Sequence, residues 1–176
     1  MKFTTGLVRL SFAHIFQPAP DLNGNDKYSA SLIIPKKSQT ATRLKKAIED
    51  MLADPEIKKN LGKGNIRNPL RDGDEKDDEA YADSYFINAK SNPDHKPQVL
   101  DKDRQEVVDP GEVYSGCYVQ AVVSLYPYNK GVNKGIGVSL LAIRKIKDGK
   151  AFTGSVVSDT DFDDSLLEGD GLDDLM

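Results

Sequence analysis

Tryptophan is absent from the 176-residue chain, histidine occurs twice and cysteine once. A single cysteine excludes an internal disulfide and fits a reducing compartment, and Cys117 lies in an apolar run, where a buried structural thiol is expected. His14 and His95 stand in unlike contexts, and with one cysteine they give no zinc-ligand spacing. No apolar run approaches the ~18 residues of a membrane span, and the opening MKFTTGLVRL does not read as a secretion signal. The expectation is a soluble, intracellular protein with no membrane partner. Phosphate loop, nucleophile elbow and dinucleotide fingerprint are also missing, so no catalytic residue is assigned and no cofactor or metal is expected.

Positive charge is missing from one stretch only. The last nineteen residues, SDTDFDDSLLEGDGLDDLM, hold eight acids and neither lysine nor arginine. Residues 1–157 carry all 24 Lys and Arg and 20 of the 28 Asp and Glu, so a body of +4 is joined to a tail of −8. At ~100–200 residues per domain the length suits one globular domain, placed at 1–157, with a disordered acidic tail at 158–176. Such segregation suits a polyanion-binding body and a segment that competes for it, or simply a solubilising tail.

What the body does contain is β patterning. Val8, Leu10 and Phe12 alternate with Arg9 and Ser11 in a first strand over Thr4–Phe16, and a turn at PAPDLNGND leads to KYSASLIIP, with Tyr28, Ala30, Leu32 and Ile34 on one face. Ser38 then caps an amphipathic helix with Ala41, Leu44, Ile48 and Met51 on its apolar side, which Pro55 ends or interrupts. Residues 60–83 read as a long charged loop, and strand character resumes at YFINAK. After a second polar loop, VYSGCYVQAVVSLYPY is the strongest strand signal. Val119, Ala121, Val123 and Leu125 form its apolar face, with Tyr118, Gln120, Ser124 and Tyr126 opposite. A turn at NKGVNKG leads into a last strand, IGVSLLAIRKI. Five strands and one helix point to a mainly β protein built as a small closed or nearly closed barrel.

Aromatic rings spaced between cations are what unstacked bases need, with stacking worth ~1–3 kcal/mol per base and lysine or arginine following the phosphates. Tyr118, Tyr126 and Tyr128 sit on the wetter face of their strand, and Phe86, Asn88 and Lys90 share a face of theirs. These, with phosphate contacts from Arg9, Lys90, Lys130, Lys134, Arg144 and Lys145, form the candidate DNA-binding set. The same rings could instead cover a core or a protein interface, which would suit an adaptor or structural protein. The acids Asp72, Asp74, Asp77, Asp78 and Glu79 read as a solvated loop, with a magnesium-dependent nuclease as the weaker alternative.

TGLVRLSF, KYSASLIIPK, NPLRDGDE, YFINAKS, VYSGCYVQAVVSLYPYN and NKGIGVSLLAIRKIKDG occur in that order, and together they resemble a family of bacteriophage single-stranded DNA-binding proteins. The resemblance runs from about Thr4 to Asp164. It implies an OB-fold, here a five-stranded antiparallel barrel with one helix and long loops. The implied function is non-specific holding of single-stranded DNA during phage replication, recombination and repair in the cytoplasm of the infected bacterial host. It also implies that the acidic tail contacts replication or recombination proteins. The candidate contacts there are Asp159, Asp161, Phe162, Asp163, Asp164, Glu168, Asp170, Asp173 and Asp174. A homodimer is kept open as the assembly.

Overall fold

Alternation and turn chemistry build an eight-stranded sheet within residues 1–152, the part of the chain that the computed structural model describes. In chain order the elements are β1 (Lys2–Thr4), β2 (Val8–Pro20), β3 (Asp26–Pro35), α1 (Gln39–Ala53), α2 (Pro55–Leu61), β4 (Arg71–Asp72), β5 (Ser84–Ser91), β6 (Gln98–Leu100), β7 (Tyr118–Lys130) and β8 (Asn133–Lys147). The expected domain boundary at 157 and the acidic segment beyond it, with every candidate contact from Asp159 to Asp174, lie outside the described residues.

Hydrogen-bonded pairing runs from β7 to β2, β3, β5 and β8, and β8 pairs again with β7. The return is thin: β5 and β8 meet in parallel through one residue pair, Lys90 and Ser139. β6 also runs parallel to β8, β1 lies along the other side of β7, and β4 adds to β5. The expected five-stranded antiparallel barrel with one helix is therefore corrected. Among the described residues the sheet has eight strands, two parallel contacts and a seam in place of full closure, and there are two α-helices.

Both helices follow from local chemistry. Ser38 accepts a hydrogen bond from the Ala41 N–H at 3.1 Å and so starts α1, whose Ala41, Leu44, Ile48 and Met51 are buried as their spacing predicts. Pro55 ends α1 but also opens α2, because a first-turn proline loses no hydrogen bond, and Asp54 caps the amides of Glu56 and Ile57.

Val119, Ala121, Val123 and Leu125 are at most 1% exposed, and with Leu10, Leu32, Ile34, Ile87, Leu140 and Ile143 they fill the interior that α1 closes. Each large aliphatic buried this way contributes roughly 1.5–3 kcal/mol relative to exposure. A second, smaller cluster lies on the outer side of β3 and β5, where Tyr81 covers Ile33 and Phe86. Burial raises the Tyr81 phenol above its ordinary range, and its hydroxyl donates to Ser11 at 2.9 Å. The loop that carries Tyr81 is pinned by Lys36, whose ammonium meets Asp72 at 2.8 Å and Asp74 at 2.7 Å.

The β2–β3 register shifts twice, between Ser11 and His14 and between His14 and Ala19, and the first shift breaks the alternation at the core. Val8 and Leu10 point inward, but at this shift Phe12 takes a left-handed φ of 46°. This bulge restarts the alternation so that Ile15 returns to the core, and it leaves Phe12 59% exposed instead of on the apolar face. An aromatic residue held there costs on the order of 1–3 kcal/mol.

Candidate nucleic-acid interface

The two halves of β7 carry the tyrosines into different surroundings. Tyr126 stands opposite Gly137 of β8, and the missing side chain gives the ring its seat: a Cβ on Gly137 would lie 2.5 Å from Tyr126 Cζ. Tyr126 is 43% exposed, with the Tyr128 ring 6.4 Å away, centre to centre, at a tilt of 55°. The ring borders an open cleft of about 640 Å³ that straddles the β5–β8 seam, where Lys27, Lys90, Lys96, Lys130 and His95 also converge. Lys90, Lys96 and Lys130 are exposed and form no ion pair among the described residues. The adjoining hairpin is braced from behind, since Asn129 donates to the Asn60 carbonyl at 2.7 Å and Lys134 donates to the carbonyl of Lys63. Of the candidate set, then, Lys90, Tyr126 and Lys130 border this cleft with Tyr128 beside Tyr126, while Lys134 has a structural bond.

At the other end of β7, about 26 Å away at ~3.3 Å per residue, the cations are already engaged. Arg9 donates to the carbonyls of Gly116 (2.9 Å) and Lys150 (2.8 Å) and lies over Tyr118 and Phe152. Lys147 sits 4.8 Å from the Tyr118 ring, and a Cβ on Gly149 would meet that ring at 2.8 Å. Arg144 donates to the Lys102 carbonyl at 2.7 Å and to Gln120, and Lys145 pairs with Asp148 at 2.6 Å. The Lys145 ammonium, donating its hydrogen bond, holds Asp148 below the ordinary carboxylate range. Arg9, Tyr118 and Lys145 thus bind the segment after β8 back onto the fold, and Arg144 ties the Lys102 loop to β7, so the candidate set is split.

Phe86 needs the plainest correction. It shares a sheet face with Asn88 and Lys90 as expected, yet it is only 4% exposed, because Tyr81 packs edge-on against it at 5.3 Å. No face of its ring is open to a base.

Sequence reasoning missed Phe12, Lys27, Lys76 and Lys96. A second cleft of about 460 Å³ adjoins the first through Lys27 and Lys90, and Phe12, Leu22, Lys76 and Asn88 also border it. The Lys76 ammonium is held within 5.0 Å of three ring centres, those of Phe12, Tyr81 and Phe86. The only signal for Phe12 was an aromatic on a strand whose alternation had to break before Ile15. Lys76 lay among acids and gave none.

The acidic loop is built as structure. Asp72 and Asp74 share Lys36, whose hydrogen bonds hold both carboxyls below their ordinary range, and Asp78 caps the Ala80 amide at 3.0 Å. Among the described residues no group of three His, Cys, Asp or Glu side chains is placed to hold a metal ion.

Protein p50 of Acyrthosiphon pisum secondary endosymbiont phage 1 is 34% identical over 98% of both chains. The single-stranded DNA-binding protein of bacteriophage Enc34, solved in complex with ssDNA, superposes with a TM-score of 0.70 at 28% identity, covering 86% of this chain and 89% of that one. The gp2.5 single-stranded DNA-binding protein of bacteriophage T7 shares the fold at 18% identity, with a TM-score of 0.56 over 90% of this chain and 98% of that one. The model of the Enterobacter phage Enc34 ssDNA-binding protein family matches residues 1–174, and the chain belongs to that family.

Proposed function

We propose that this protein binds single-stranded DNA without reading its sequence, coating and protecting it during phage DNA replication, recombination and repair in the cytoplasm of the infected bacterial host, and that the sheet is a variant OB-fold barrel. The observation that carries the reading is the Tyr126 cleft: an open ring seated on Gly137, beside Lys90, Lys96 and Lys130. A base stacks on any aromatic face, and the lysines neutralise phosphates, so affinity comes without base-edge recognition. The function asks for binding alone, with no catalysis and no cofactor. The acidic segment 158–176 competes with DNA for this cleft and, once displaced, is offered to replication or recombination proteins.

Fluorescence anisotropy with labelled oligo-dT, duplex DNA and RNA across a salt series tests the reading. Tight, salt-sensitive binding of oligo-dT is expected, and absent or salt-insensitive binding would favour a protein-binding adaptor. A chain ending at Val157 should bind oligo-dT more tightly than the full chain, most clearly at low salt. Equal affinities would remove the competition and leave the tail as a partner hook.

A further inference from the structure

The Phe12 cleft is not explained by a stacking track confined to Tyr126 and Tyr128. On one strand Leu10 is fully buried and Ile15 is 1% exposed, while the ring between them is turned out to 59% exposure by a backbone angle, φ 46°, that aromatic side chains avoid. Two unfavourable features therefore coincide at one residue, a left-handed backbone and a large apolar surface in water. Neither is needed to restore the alternation, because asparagine or glycine would form the same bulge without the ring.

Around the exposed ring the cleft is furnished for a nucleotide. Lys76 stands beside Phe12, fixed in place by Tyr81 and Phe86, and Lys27 and Lys90 lie on the side shared with the Tyr126 cleft. Asn88 accepts a hydrogen bond from the Ser31 hydroxyl through Oδ1, which orients the amide and leaves Nδ2 to donate to a ligand. The volume, about 460 Å³, lies within the range of roughly 300–1,000 Å³ found for small-ligand clefts.

We propose that Phe12 is the stacking face of a second subsite, which takes one unpaired nucleobase against its ring and donates to that base from Asn88, and that the strained bulge is retained for this contact. The inference rests on the single-stranded DNA reading and extends it. The strand crosses from Tyr126 over Lys90 and Lys27 to Phe12, so the DNA path spans both clefts.

The test separates a ring kept for ligand from a ring kept for structure. Phe12→Asn removes the ring and suits the left-handed backbone, so the full chain should melt at or above the wild-type temperature while binding oligo-dT about 5- to 150-fold more weakly, the effect of one stacked base. Phe12→Tyr should bind like wild type. Because the chain has no tryptophan, Phe12→Trp places a single reporter at the ring, whose emission should be quenched in proportion to bound oligo-dT. Wild-type affinity in Phe12→Asn, or an unquenched Phe12→Trp that still binds by anisotropy, would overturn the subsite alone. So would a lower melting temperature in Phe12→Asn with unchanged affinity. Failure of the wild-type chain to bind oligo-dT would overturn the single-strand reading itself, and the subsite with it.

Discussion

Tyr118 and Tyr126 lie on the same face of one strand, each within reach of lysine or arginine, and the two ends of β7 use them oppositely. At the Tyr126 end the ring rests on a glycine and its lysines have no ion-pair partner among the described residues. At the Tyr118 end Arg9, Arg144 and Lys145 donate to carbonyls, to Gln120 and to Asp148, and the ring fills space above Gly149. Both rings stand on one face of β7 with cations close by. What differs is whether the hydrogen-bonding capacity of each cation is already satisfied inside the protein.

Substitution at the two tyrosines should break this symmetry most visibly. Tyr126→Ala is expected to lose about 1–3 kcal/mol of oligo-dT affinity with little change in melting temperature. Tyr118→Ala should do the reverse, lowering the melting temperature and leaving affinity near wild type. Anisotropy titrations beside thermal melts of both variants decide it, and a binding loss at Tyr118 matching that at Tyr126 would show that DNA uses the whole strand.

A subtler version leaves the tyrosines alone. Gly137→Ala puts a methyl group 2.5 Å from Tyr126 Cζ, so the ring must lift from its seat. Affinity for oligo-dT should fall although no contacting group is removed. Wild-type affinity in this variant would mean that the ring's resting position does not matter.

Salt dependence should separate the cations in the same way. Log affinity for a single strand changes by about 0.7 per unit of log salt for each phosphate neutralised. Lys90→Ala and Lys130→Ala should each flatten the slope by about one contact, while Lys145→Ala should leave it unchanged. A slope altered by Lys145→Ala would place DNA at the Tyr118 end as well.

The smallest effect is expected at the loop that supports Lys76. Asp72 and Asp74 titrate lower in the fold than in the unfolded chain because Lys36 donates to both, so the unfolded chain takes up their protons first on acidification. The clamp's stabilisation is complete above the ordinary carboxylate range near pH 4 and declines as the pH falls through and below it. Melting temperatures of wild type and Lys36→Met should differ at neutral pH and converge in acid. A constant difference would mean that Lys36 acts through packing on Tyr85 instead.

The inward faces of β3, α1 and β7 were legible because period-2 and period-3.6 patterns record burial directly. Three failures share a cause. Phe86 has the pattern of an outward residue, but Tyr81 is held over it by a hydroxyl bond to Ser11, 70 positions away, which no local pattern records. β6 is three residues long and pairs in parallel, so it carries no alternation to detect. Phe12 was assigned to the apolar face because alternation was extended through a bulge that only the register with β3 reveals. Each depends on a partner distant in sequence.

The single residue pair that joins β5 to β8 gives the ring of strands a weak suture, and the Tyr126 cleft lies across it, with Lys90 and Ser91 on one lip and Ser139, Leu140 and Leu141 on the other. A strand of DNA laid along that line touches both lips and acts as the missing stitches. Amide protons of β5 and β8 beside the seam should then exchange more slowly in the complex than in the free protein.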